Sequence, residues 1–166
     1  MLNPQPQAAG VEERLYSWMT LIAAVAPMIS AVPVNLALGI TPAQTLALVA
    51  FSAVSGVLHW FARKGKRHPI AFSLLLVGVA NISWFTDGGA DGATTQWIAF
   101  VSTLLVLLLS GRTRWVAVGG FILNGFALLW IDYHDPDLIP RMATRADRYI
   151  DLASGFPIAT IIFGLV

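Results

Sequence analysis

An all-α membrane protein, a bundle of six transmembrane helices with both termini cytoplasmic, is the fold class this sequence predicts, and three observations predict it. Hydrophobic residues make up 57% of the 166 and charged residues 11%, where a soluble domain carries about 25% charged residues. The apolar residues fall in long runs without alternation, whereas strands of a membrane barrel alternate lipid-facing and lumen-facing positions. Lys and Arg segregate cleanly once those runs are drawn as crossings.

Six spans can be cut: 15–34, 42–62, 69–86, 95–111, 114–132 and 150–166. Each is roughly 17 to 21 residues, enough to cross about 30 Å of hydrocarbon as a helix. Residues 1–14 open polar, with Glu12 and Glu13 before Arg14, and read as a cytoplasmic tail, disordered over the first ten residues, rather than a secretory signal. Pro27 and Pro33 lie in or near the end of the first span; each removes a helical hydrogen bond and predicts a kink. Ala23, Ala26, Ser30 and Ala31, with Ala43, Ala47, Ser52 and Gly56 on the second span, are small residues at near-helical spacing. They favour close backbone packing, with a ligand cleft between kinked helices as the other reading. The connections VNLALGIT, RKGKRH, DGGADGATT and RT are short, so neighbours run antiparallel. Only 133–149 is a long loop.

With these spans Arg14, Arg63, Lys64, Lys66, Arg67, Arg112 and Arg114 share one side, and the three other basic residues, Arg141, Arg145 and Arg148, lie opposite. Seven of the nine acids accompany those three: Asp87, Asp91, Asp132, Asp135, Asp137, Asp147 and Asp151. The basic side is expected in the cytoplasm, with the N-terminus, in a multi-pass protein of a bacterial inner membrane. A formal net charge of +1 argues against a nucleic-acid partner, and the absence of cysteine excludes disulfides and thiolate metal sites.

Asn81 and Asn124 are the most interior polar side chains, on spans three and five. Facing lipid, each would be costly, so they pair within the bundle or give polar specificity to a buried pocket. His59 closes the second span beside Trp60, where it can meet helix-terminal carbonyls, lipid headgroups or a ligand. Ser55 and His59 share one helix face, but Ala53 stands where intramembrane serine proteases carry glycine, and no catalytic residue is expected. Trp84, Trp97, Trp130, Tyr133 and Tyr149 fall at the outer span ends as an aromatic belt would; Trp84 and Trp130 are further ligand-contact candidates. His134, Asp135 and Asp137 resemble a loose metal cluster but are also common turn formers, so neither metal nor cofactor is expected. No charge lies near the middle of a span, which weighs against a pump, transporter or channel.

The stretch Thr86-Asp87-Gly88-Gly89-Ala90-Asp91-Gly92, followed by Trp97 and closed by Ser110-Gly111-Arg112, carries a family pattern. An apolar helix, a Gly-Gly corner, a hydrophobic helix and a G-R turn resemble the six-helix membrane sensor domain of many bacterial histidine kinases and nucleotide or diguanylate cyclases. Residues 133–149, through Pro140 to Arg145-Ala146-Asp147-Arg148-Tyr149, are similar to that family's last outer loop. Asp91-Gly92 departs from its usual Ser-Pro. The resemblance implies a receptor module, truncated before a cytoplasmic output domain and dimeric through its last helix. Its expected ligand is a small apolar or amphipathic molecule, bound between helices near the outer leaflet. Gly88 and Gly89 would give the corner its freedom to turn. A small transporter or channel, or an anchor that only dimerises, are the competing readings.

Overall fold

The computed structural model describes residues 6–39, 41–141, 144–146, 148–151 and 153. Among these the regular structure is entirely helical: α1 (Pro6–Ile29), α2 (Ala31–Leu38), α3 (Pro42–Arg63), α4 (Pro69–Thr86), α5 (Thr94–Leu108) and α6 (Gly111–His134), with 3-10 turns at Gly89–Asp91 and Pro136–Leu138. Four stretches, Glu13–Ala37, Pro42–Arg63, Pro69–Thr86 and Gly111–His134, are long and apolar enough to cross a membrane. The expected sixth span, 150–166, lies almost wholly outside the described residues.

Proline and glycine set most of the boundaries. Pro27 inside α1 and Pro33 in the first turn of α2 each lack the N–H that a helix needs. The helix breaks between them at Ser30, whose hydroxyl donates to the Ala26 carbonyl at 2.7 Å. That kink agrees with the expectation, but the loop expected over 34–41 is mostly helix. It ends at Gly39, which turns left-handed at φ 66° and returns its N–H to the Asn35 carbonyl. Pro42 and Pro69 open α3 and α4 at positions where a missing N–H costs nothing. The tail expected over 1–14 is helical from Pro6, because α1 extends past the apolar run.

The fourth span is corrected more substantially. Expected over 95–111, it is the 15-residue α5, about 22 Å long, short of a bilayer's apolar thickness. Gly111, Arg112 and Arg114 belong to the first turn of α6, so only Leu109 and Ser110 separate the two helices. A short helix is tolerated here because protein covers its ends: Ala93, Thr94 and Leu109 are all buried.

Phe100, Val101, Leu104 and Leu105 of α5 meet Phe72 and Leu76 of α4, Tyr16 and Met19 of α1, and Phe121 of α6 in one core. The α1–α3 interface is the most extensive helix pairing. A Cβ at Gly56 would lie 3.9 Å from that of Ala24, so small residues do bring these two backbones close. His59 clamps the same interface, its Nδ1 3.0 Å from the Ser17 carbonyl and 3.4 Å from the Thr20 hydroxyl. Outside this core the molecule is apolar: Ile29, Leu36, Leu46, Leu74, Trp115, Leu123 and Phe126 are exposed. A continuous apolar exterior of this kind is compatible with a lipid surroundings and costly in water.

The two ends differ as the charge pattern expects. Leu15, Tyr16, Arg67, Leu109, Ser110 and Arg114 surround one hollow at the basic end, and the Tyr16 hydroxyl accepts the His68 N–H at 3.2 Å. Lys64 lies 3.5 Å over the Trp60 ring. At the acidic end the glycine corner, the end of α6, Ile139 and Asp151 converge.

Gly92 is the tightest point of that corner, since a Cβ there would stand 1.8 Å from the Asp87 carbonyl oxygen. Gly92→Ala is therefore expected to destabilise the fold by about 3 kcal/mol or more. Gly119→Ala, at a helical site with open space around it, should stay within about 1 kcal/mol of the parent. Unfolding titrations in mixed micelles measure the difference.

Candidate functional site

The corner between α4 and α5 is a largely buried turn with Ala90 exposed, and its geometry follows from three glycines. Gly88 and Gly89 both turn through positive φ, at 79° and 57°, as the sequence pattern requires. Gly92 supplies the close approach to Asp87 described above. Two of the N–H groups exposed by this path are met by carboxylates from distant parts of the chain. Asp132 Oδ2, from α6, accepts the Ala90 N–H at 2.9 Å, and Asp151 Oδ2 accepts the Ala93 N–H at 2.7 Å. Arg141 pairs with Asp132 and reaches Asp91 at 3.4 Å, while Arg148 lies 3.7 Å from Asp91. Arg141 and Arg148, from the stretch read as the long outer loop, thus meet the corner through ion pairs.

Beside the corner a cleft opens between α2, α3, α4 and α5. Its cavity volume is about 60 Å³. Leu48, Phe51, Leu76, Val79, Val101 and Trp97 form its apolar walls, with Pro27 and Ala31 at the kink. Asn35, Gln44, Ser83, Asp87 and Asp151 supply its polar groups. Gln44 is fully engaged: its amide donates to Ser83 Oγ at 3.0 Å and accepts from Thr86 Oγ1 at 2.6 Å, tying α3 to α4. Asn35 and Asp87 are not. Asn35 is 4% exposed and its Nδ2 has no partner; Asp87 is 6% exposed and its Oδ1 has none. Burial, with the Asp151 carboxylate as the neighbouring charge, pushes the Asp87 carboxyl up to about 8.

The residues singled out from the sequence sit elsewhere. Asn81 is half-buried and donates to the Val77 carbonyl of its own helix at 2.8 Å. Asn124 is half-buried on α6 with its Nδ2 unpartnered. His59 serves the α1–α3 interface, and its ring nitrogen turns to α1 and not to Ser55. Trp84 is wholly buried with Leu128 and Ile139, so it is no belt residue, and Trp130 is exposed and stacked on His134 at 4.0 Å. Among the described residues, none of these five lines the cleft. The belt expectation fits Trp130, Tyr133 and Tyr149, which are exposed, while Trp97 turns into the cleft.

Comparison with family models, with curated proteins and with solved structures found no match for the chain. Fold and cleft define the class directly: a helical protein compatible with a membrane, carrying a largely apolar recess with buried carboxyl and amide groups at one end.

Asp87 makes stability pH-dependent in a stated direction. An unfolded Asp releases its proton near 3.8, the folded one only near 8. Between these values the folded chain holds the extra proton, so its contribution is complete below about pH 4 and is lost as pH rises toward about pH 8. The melting temperature is expected to fall over that interval, and Asp87→Asn to flatten the fall. A parent profile that rises across it would contradict the assignment.

Proposed function

We propose that the chain is the membrane-embedded receptor domain of a bacterial signalling protein. In this reading it makes six crossings of the inner membrane with both termini cytoplasmic. A small ligand enters the cleft from the outer side and favours one of two helix packings. The sixth helix, paired with that of a second copy, hands the difference to a kinase or cyclase output domain. The observation that carries the reading is the cleft itself, where Asn35 Nδ2 and Asp87 Oδ1, both buried, have no hydrogen-bond partner among the described residues. Unsatisfied buried groups are expensive in a fold that only has to stand, and they are how ligand sites obtain specificity. The segregated charges and the sensor-like glycine corner support the same reading.

Coupling of this type amounts to about 1–3 kcal/mol between two nearly balanced states. Joined in frame to the catalytic core of a histidine kinase, the chain should therefore change its output when the cleft is filled. Leu48→Trp, which fills it, is expected to shift basal autophosphorylation about tenfold. Leu46→Trp, on the exposed side of the same helix, should leave it unchanged. Equal outputs from the two variants, both folded, would overturn the receptor reading.

A further inference from the structure

The receptor reading leaves the chemistry of the ligand open, and the cleft's polar groups narrow it. Asp87 presents a carboxyl oxygen with no hydrogen-bond partner to an apolar recess, and the charge acting on it is a second acid, Asp151. Asp151 lines the same cleft and holds the Ala93 N–H. Arg141 pairs with Asp132 and Asp91, and Arg148 with Asp91. Among the described cleft-lining residues, α1, α2, α3 and α5 contribute no titratable side chain; their polar and aromatic groups are Asn35, Gln44, Phe51 and Trp97.

An anion would meet two buried acids there. A neutral apolar molecule would leave both the carboxyl oxygen and the Asn35 amide unsatisfied. A divalent cation such as calcium needs six or more oxygen ligands. Gln44 and Ser83 are already bound to each other and the remaining wall is hydrocarbon. A small organic cation fits each constraint: it brings its own apolar surface, and its charge meets Asp87. Trp97 adds an aromatic face, which attracts an ammonium. Asn35 Nδ2, unpartnered and nine-tenths buried, asks for an oxygen acceptor on the same molecule. Beneath the cleft a second cavity of about 40 Å³ shares Pro27, Phe51, Leu76 and Trp97 with it and continues as pure hydrocarbon, leaving room for a slim apolar end.

Resting on the receptor reading, we propose that the cleft binds a small primary amine in its ammonium form, its charge held at Asp87, its oxygen acceptor at Asn35 and its apolar body against Trp97, Phe51 and Leu76. Proton and ligand compete for Asp87. Binding therefore strengthens as pH rises toward the value at which that carboxyl ionises, a behaviour opposite to that of a site that needs a neutral acid.

Three nearly isosteric probes test the assignment on the full chain in lipid nanodiscs: 2-phenoxyethylamine, 2-phenoxyethanol and phenoxyacetate, with binding read by calorimetry and by the shift in melting temperature. At about pH 8.5 the amine is expected to bind at least about thirtyfold more tightly than the alcohol or the acid. Its affinity should drop about tenfold or more near pH 6, where Asp87 keeps its proton. In Asp87→Asn, isosteric with the protonated acid, the amine should lose its advantage while the alcohol binds as before. Equal binding of the three probes, an amine affinity indifferent to pH, or an advantage that survives Asp87→Asn would each overturn the ammonium assignment and leave the cleft as a ligand site. Failure of every probe to bind the folded parent would overturn the receptor reading with it.

Discussion

A peptide N–H buried away from water must find an acceptor, and the corner between α4 and α5 buries several. Helices satisfy this demand internally; a glycine turn does not. Here the acceptors are carboxylates delivered from remote sequence, Asp132 from the end of α6 and Asp151 from the stretch after the outer loop. The rest of the acidic end follows from that need. Asp132 is tolerable when buried because Arg141 pairs with it, and Arg141 and Arg148 draw Asp91 and the outer loop over the corner. Ile139 then packs on Trp84 and Leu128, closing a small second core. A Cβ at Gly89 would meet Asp132 Oδ2 at 2.8 Å, so the corner's second glycine is required by the contact as well as by its φ.

The cleft is a by-product of the same arrangement. The helix is interrupted at Ser30, between α1 and α2, next to the two prolines. The corner holds the end of α4 and the start of α5 at fixed separation, and Gln44 fastens α3 to α4. What remains between these supports is a recess lined in part by Asp87, whose Oδ1 has no hydrogen-bond partner.

Much of the scaffold was legible in the chain. Runs of apolar residues located the long helices, Pro27 and Pro33 located the kink, and Gly88 and Gly89 located the turn, because each rests on local backbone chemistry. The short α5 was legible only in part: its apolar run continues through Leu109, but Gly111, with φ of 58°, opens the next helix instead of closing this one. The site was read less well. Asn81 and Asn124 drew attention as interior polar residues, yet Asn81 is satisfied within its own helix. Asp87, Asp132 and Asp151 read as surface charges at span ends, and all three are buried. Sequence position cannot show that a loop folds inward. One signal did exist: a third glycine, Gly92, in a corner that needs only two for a surface turn, betrays a backbone packed against itself. Asn35 lay in the connection expected over 34–41 and Gln44 near the start of the second span, and neither gave a comparable sign.

The dependence of this end on buried carboxylates meeting backbone can be measured without any ligand. Residue-resolved amide hydrogen exchange in nanodiscs reports Ala90 and Ala93 individually. Both amides should be protected to the level of the α5 interior, with Asp132→Ala releasing Ala90 and Asp151→Ala releasing Ala93. Exchange at both positions as fast as in the exposed 64–68 connection of the parent chain would contradict the buried corner and everything built on it.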